Sequence, residues 1–426
     1  MGELWSPAAK WRRVARVEEA VIRARVGLGE ITGVTVPENL YRSLQINVHE
    51  IDRIEGEETR HDVTAFLRHT SPQLPAELRP WWHHRLTSYD VQDTALFLCL
   101  KESVGILMDD LLVVMASLSS RARDEFKYTC MIGRTHLVHA EPITFGVKLA
   151  NWYDECQRQM SRFESLLHEV SVGKLSGAAG MYTLDPRVEE TVCAALGLRP
   201  IIATQIISRD IITQYVCTLA NVAGSIERFC NNLRLMQQTE VLEVEEYFAP
   251  EQEGSSAMPH KRNPRMFEQI SGLAEQVRSC VDVAMRNQDS AHERDLRNSS
   301  RERIFLADAP ILLDYMLYHF GSEFSRLVVH PGRMQRNLDL TRGLIFSQEV
   351  QSLVARKSGL PRTEAYDHVK KIAQRCWADD LDFKAAVFED TLITSCATPA
   401  EIEACFELRS KLKYVDAIFE RVFGKE

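Results

Sequence analysis

The sequence predicts an all-α protein: a central bundle of very long helices flanked by two smaller helical domains. Three observations carry this expectation. No proline interrupts residues 81–141, 201–249 or 265–309, and glycine is sparse within them. Ile212, Val216, Leu219, Val222, Ile226, Phe229, Leu233 and Met236 recur in steps of three and four, close to a heptad seam. No segment shows sustained period-two alternation bounded by turns, so almost no sheet is expected.

Residues 1–90 read as shorter helices broken at VTVPENL and SPQLPAELRP, an N-terminal domain. Residues 91–345 form the expected bundle. Its stretch from Asp93 to Phe126 is apolar over more than one stripe, as in a helix packed on several sides. The 212–236 seam asks for a partner along its whole length, and a seam on so long a helix ordinarily means that neighbouring subunits complete the bundle. Residues 346–426 read as a small C-terminal helical domain with turns at SGLPRT and SCATPAE.

Composition narrows the function class. A net charge of -9 over 426 residues, with pI near 5.9, argues against general nucleic-acid binding. Ten cysteines occur singly, without a CxxC pair or metal-ligand spacing, as expected of reduced thiols in a cytoplasmic protein. The start, MGELWSPAAKWRR, lacks the apolar run of a signal peptide, and no stretch approaches a membrane span. The expectation is a soluble cytoplasmic protein with no membrane or nucleic-acid partner and no metal or other cofactor.

One stretch breaks the helical pattern: GSSAMPHKRNP, residues 254–264. Gly254 permits backbone geometries that other residues resist, and amides around small residues can form an anion-binding nest. Ser255 and Ser256 add hydroxyls, Lys261 a mobile charge and Asn263 an amide. Such a set suits a carboxylate whose charge grows during reaction. By composition alone the stretch reads better as a solvated linker; the ordered string shifts the balance.

That string resembles the signature loop of the fumarase/aspartase superfamily, and its AMPHKRNP form resembles the adenylosuccinate lyase family within it. Further blocks are similar in order and spacing: RHDVTAF (60–66), LTSYDVQDTAL (86–96), GRTHLVHAEPITFGVKLANWY (133–153), GKLSGAAGMY (173–182), TQIISRD (204–210), HERDLRNSSRERI (292–304) and YVDAIFERVF (414–423). The resemblance implies a fumarase/aspartase-like fold, a homotetramer whose sites draw on three subunits, and β-elimination of fumarate from an N-succinyl substrate: a purine nucleotide of AMP biosynthesis or, as the alternative, another succinylated amine.

By resemblance Ser255 is the base, His136 the general acid, and Glu268 the group that orients the His136 ring. His61 lies near the chemistry. Lys261 and Asn263, with Ser256, bind the carboxylate that becomes the aci form. Thr87, Ser88, Thr135 and Gln205 contact the succinyl group. Arg60 and Asp62 reach the nucleotide part, and Arg294, Ser299 and Arg303 form half of a phosphate site. Each has a plainer reading: Thr87 and Ser88 as helix caps, Gln205 as a polar helix-start residue, residues 60–62 as a surface charge cluster, and the arginines as a charged helix face. His136 and His139 lie three apart, but no third ligand completes a metal set.

Departures from the family pattern stand at Arg85 and Leu137, where glycine is usual, and at Tyr89, often threonine. Arg297 and Arg301 add charge near the phosphate half-site. MGELWS resembles residues just after a RYxxPE-like segment that helps bind phosphate in the family. These departures leave open a lyase for a different N-succinyl amine, and more remotely a non-catalytic scaffold of the same fold.

Overall fold

The computed structural model describes residues 1–425, and the chain is mostly helical. Five helices exceed twenty residues beyond the N-terminal part: Ser88–Ser120, Phe145–Val170, Asp210–Met236, Arg265–Arg286 and Arg297–Ser325. No helix among the described residues is long and apolar enough to cross a membrane. By internal contacts the chain divides into two compact units.

The first unit comprises Met1–Leu112, Arg158–Glu227 and Ile270–Tyr318. Its opening helix, Pro7–Gly27, starts where Ser6 accepts from the Ala9 N–H at 3.2 Å, with proline at the first helical position. The buried face of that helix joins a core running from Trp11 to Leu198, in which Trp11 and Phe66 stack at 5.0 Å. The Ser88–Ser120 helix begins directly after Thr87. Asp90 Oδ2 accepts from the Thr87 N–H at 2.9 Å, the reaching-back half of a capping box.

The second unit comprises Val113–Gln157, Arg228–Gln269 and His319–Glu426. Aromatic contacts link its long-helix segments: Trp152 stacks on Phe229 at 4.7 Å, Phe229 meets Phe320 at 5.9 Å, and Phe320 meets Phe267 at 6.5 Å. Short helices from Ser347 onward enclose a separate apolar cluster around Phe383, Val387 and Ile393.

Three particulars differ from the sequence expectation. First, residues 130–144 form an antiparallel hairpin, Cys130–Thr135 paired with Val138–Thr144. Its burial does not alternate, and its two-residue turn is His136-Leu137 instead of an Asn-Gly type pair, so neither strand signal is present in the sequence. Second, Pro310 does not end a helix; Arg297–Ser325 runs through it. An interior proline costs about 3 kcal/mol, and complete burial of Ala309, Leu313, Met316, Leu317 and Phe320 around it outweighs that. Third, the seam from Ile212 to Met236 is already buried within one chain, every member 4% exposed or less. The seam therefore does not by itself require a second copy.

Candidate active site

In the first unit, His61 caps the Asp62–Thr70 helix: its Nδ1 accepts from the Thr64 N–H at 3.4 Å. That leaves the proton of the neutral ring on Nε2, which lies 3.3 Å from Ser88 Oγ and donates to it. His61 and Ser88 are thus brought together. Asp62 is turned inward, accepting from Gln92 Nε2 at 2.9 and 3.0 Å and facing Lys10 at 3.4 Å. Burial works to raise its pKa, but Lys10 and the Val63 N–H outweigh it and hold the carboxyl below its ordinary range. Arg60 is exposed, with left-handed backbone at φ 53°.

Gln205 is fixed at both ends. Its side-chain Nε2 donates to Ala178 O at 3.1 Å, and its main-chain oxygen accepts from Lys174 Nζ at 2.8 Å. Arg294 donates to Gln205 Oε1 at 3.2 Å. Ser299 and Arg303 lie four residues apart at the start of the Arg297–Ser325 helix, hence on one face of its first turns. Arg303 is exposed and makes no ion pair among the described residues, whereas Arg297 is taken up by Asp295 at 2.6 Å and Asp289 at 3.0 Å. Arg301 donates to Arg286 O at 2.8 Å. The extra arginines are thereby engaged, and Arg303 keeps its donors.

In the second unit, the hairpin tip carries Thr135 and His136. His136 and Leu137 both have positive φ, 54° and 65°, the type I′ geometry of a two-residue turn. The arm is braced from below: Arg134 makes a bidentate pair with fully buried Glu243 at 2.8 and 2.9 Å, and Asn337 donates to the same carboxylate at 2.9 Å. His136 itself is exposed.

The signature loop is cinched at its stem. A Cβ on Gly254 would collide with Lys261 O, and Asn263 Nδ2 donates to Gly254 O at 3.0 Å. Gly254 is needed for this close approach; its φ is not in the left-handed region. Ser255 Oγ accepts from the Ala257 and Met258 amides at 3.3 and 3.2 Å. Two fixed N–H dipoles aimed at one hydroxyl oxygen favour negative charge on it. Ser256 and Lys261 are exposed, and the Lys261 ammonium has no partner among the described residues. Glu268 faces Arg234 at 3.6 Å, and no hydrogen bond within the chain joins it to His136.

The departures from glycine have a local cost. Arg85, at φ 64°, and Leu137, at φ 65°, both occupy left-handed backbone, where a side chain costs about 1–2 kcal/mol. Sequence reasoning missed the buried charges that hold these segments. Lys174 and Asp90, both fully buried, pair at 2.8 Å. Asp93 and Glu302 flank Arg209, each at 2.8 Å, and Asn287 donates to Glu302 at 2.7 Å. Glu246 accepts from the Met266 and Phe267 amides at the start of Arg265–Arg286. Asp90, Asp93, Lys174, Arg209 and Glu302 lie within quoted blocks, a signal that was present but gave no role.

Residues 36–279 match the family described as "Lyase", and residues 343–422 match "Adenylosuccinate lyase C-terminus". The chain is 44% identical over 424 residues to adenylosuccinate lyase of Bacillus subtilis (strain 168), covering 99% of this chain and 97% of that one. It is 42% identical over 423 residues to the adenylosuccinate lyase of Staphylococcus saprophyticus, with the same coverage. Among solved structures, a fumarate lyase from Mesorhizobium sp. BNC1 superposes with a TM-score of 0.89 at 26% identity, over 100% of this chain and 97% of that one. A 3-carboxy-cis,cis-muconate lactonizing enzyme from Pseudomonas putida gives 0.88 at 25% identity, over 99% and 95%. With both ends of the chain matched and such identity sustained throughout, the chain belongs to the adenylosuccinate lyase family of carbon–nitrogen lyases.

Proposed function

We propose that the protein splits adenylosuccinate into AMP and fumarate, and acts likewise on the succinylated carboxamide ribotide of purine biosynthesis. Its likeness to adenylosuccinate lyases over nearly the whole chain carries this reading. Ser255 takes the proton from the carbon beside a succinyl carboxylate, and the Ala257 and Met258 amides support the alkoxide that does so. The resulting aci-carboxylate is met by Lys261, Asn263 and Ser256. The electron pair left by the C–H bond then forms the double bond of fumarate as the C–N bond breaks, the C–N pair leaves with the nitrogen, and His136 protonates that nitrogen. Thr87, Ser88, Thr135 and Gln205 hold the succinyl group, with His61 donating to Ser88. Arg294, Ser299 and Arg303 take the phosphate, with Arg60 beside it.

Within one chain Glu268 faces Arg234; on the family reading it orients His136 of another copy, and we infer a homotetramer with shared sites. Light scattering is expected to give about four times the 48.6 kDa chain mass; a fully active monomer at micromolar concentration overturns this.

The substrate reading is tested with Arg303→Ala. Losing a charge-assisted bond to a phosphate should lower kcat/KM on adenylosuccinate roughly ten- to hundredfold, about 1.5–3 kcal/mol. A small succinyl amine without phosphate should be affected far less. Equal losses on both substrates, or none on adenylosuccinate, refute the phosphate assignment and favour a different N-succinyl amine.

A further inference from the structure

Arg294 rests face-on against Tyr89: its guanidinium carbon lies 3.7 Å from the ring centroid. Tyr89 is the second residue of the Ser88–Ser120 helix and is 6% exposed. Burial pushes its phenol above the ordinary value, so a neutral ring lies under the cation. One Nη1 donor goes to Gln205 Oε1, while the Nε–H is buried with no acceptor. The Gln205 amide cannot flip without losing Ala178 O, so its oxygen stays turned to Arg294. A guanidinium stacked and held in this way has lost most of its rotamer freedom while keeping donors unused.

Other buried polar atoms without partners fall in the same stretch of chain: Asn287 Oδ1, Ser290 Oγ, and both Asn298 side-chain polar atoms. Buried polar groups are ordinarily hydrogen-bonded, so residues 287–298, around Arg294 in the chain, carry unused hydrogen-bonding capacity.

We propose that Tyr89 is a positioning residue that presents Arg294 to an oxyanion of the substrate. The proposal rests on the lyase reading above. Without an aromatic face at position 89, Arg294 keeps its charge and its Gln205 contact but loses its fixed orientation. Arg294 does not touch the bond that breaks, so the loss falls on binding and raises KM more than it lowers kcat.

The test measures fumarate release by wild type, Tyr89→Phe and Tyr89→Leu. Phenylalanine keeps the ring face and should stay within about twofold of wild type, whereas leucine should raise KM roughly five- to thirtyfold with kcat changed little. A substrate lacking the phosphate identifies the oxyanion: the leucine penalty disappears if Arg294 meets the phosphate and persists if it meets a carboxylate. Wild-type kinetics in Tyr89→Leu, or an equal penalty in Tyr89→Phe, overturns the proposal. Should Tyr89→Leu not fold, Tyr89→Met carries the same expectation. A wild-type protein that releases no fumarate from adenylosuccinate refutes the lyase reading instead. Binding of AMP and of fumarate, each measured by calorimetry, then still decides this one: one of the two is weakened by Tyr89→Leu if the proposal holds, and neither is if it does not.

Discussion

Ser255→Ala is expected to lower kcat on adenylosuccinate roughly 10²–10⁴-fold, the span associated with losing a positioned proton-transfer group. Substrate binding should be nearly unchanged. A serine hydroxyl is a weak base until ionised, and the chain supplies two amides to its oxygen, from Ala257 and Met258. Those dipoles gain most when the oxygen is charged, which is a transition-state interaction and not a ground-state one. The loop stem does not depend on the hydroxyl: it is closed by Asn263 to Gly254 O and by the approach of Gly254 to Lys261. The variant should therefore keep the loop's shape while losing the base. Single-turnover fumarate release and substrate affinity, measured separately, give the two numbers. A mutant retaining more than about a tenth of wild-type kcat would assign the base elsewhere, with His136 or a water as the candidate, since so small an effect lies below the range for general base catalysis.

The long helices were legible because proline is absent where they run, and the loop because eleven consecutive residues of fixed type and order resist the linker reading. Pro310 shows the limit of the first signal, since burial around it overrides propensity. The hairpin that carries His136 escaped because its strands are braced by ionic contacts such as Arg134 with Glu243, not by alternating apolar faces. The seam from Ile212 to Met236 was read correctly as buried, but periodicity cannot say whether the covering helices belong to the same chain. Least legible were the interior charges. Lysine, aspartate and arginine are almost never fully buried unless paired, and a sequence does not reveal pairs 80 or more residues apart.

Lys174→Met is expected to destabilise the protein by about 3–5 kcal/mol, the usual cost of stranding a buried charge by removing its partner. Lys174 and Asp90 are both fully buried. The ammonium uses its donors on Asp90 Oδ1 at 2.8 Å, Gln205 O at 2.8 Å and Gly177 O at 3.2 Å. Asp90 in turn accepts from the Thr87 and Gly177 amides at 2.9 and 3.1 Å. One ion pair thus ties together the segments bearing Thr87, Ser88 and Gln205, and methionine fills its space while leaving the Asp90 carboxylate uncompensated. Stability against urea should fall, and kcat/KM should fall with it, because the succinyl contacts lose their common anchor. Adding Asp90→Asn removes the stranded charge and keeps an acceptor for one of the two amides, which donate to different oxygens of Asp90, so the double variant should recover part of the lost stability. It should recover less of the activity, since Gln205 O still lacks its donor. If Lys174→Met costs less than about 1 kcal/mol, or the double variant is no more stable than the single, then burial of an unpaired carboxylate is not what the pair prevents.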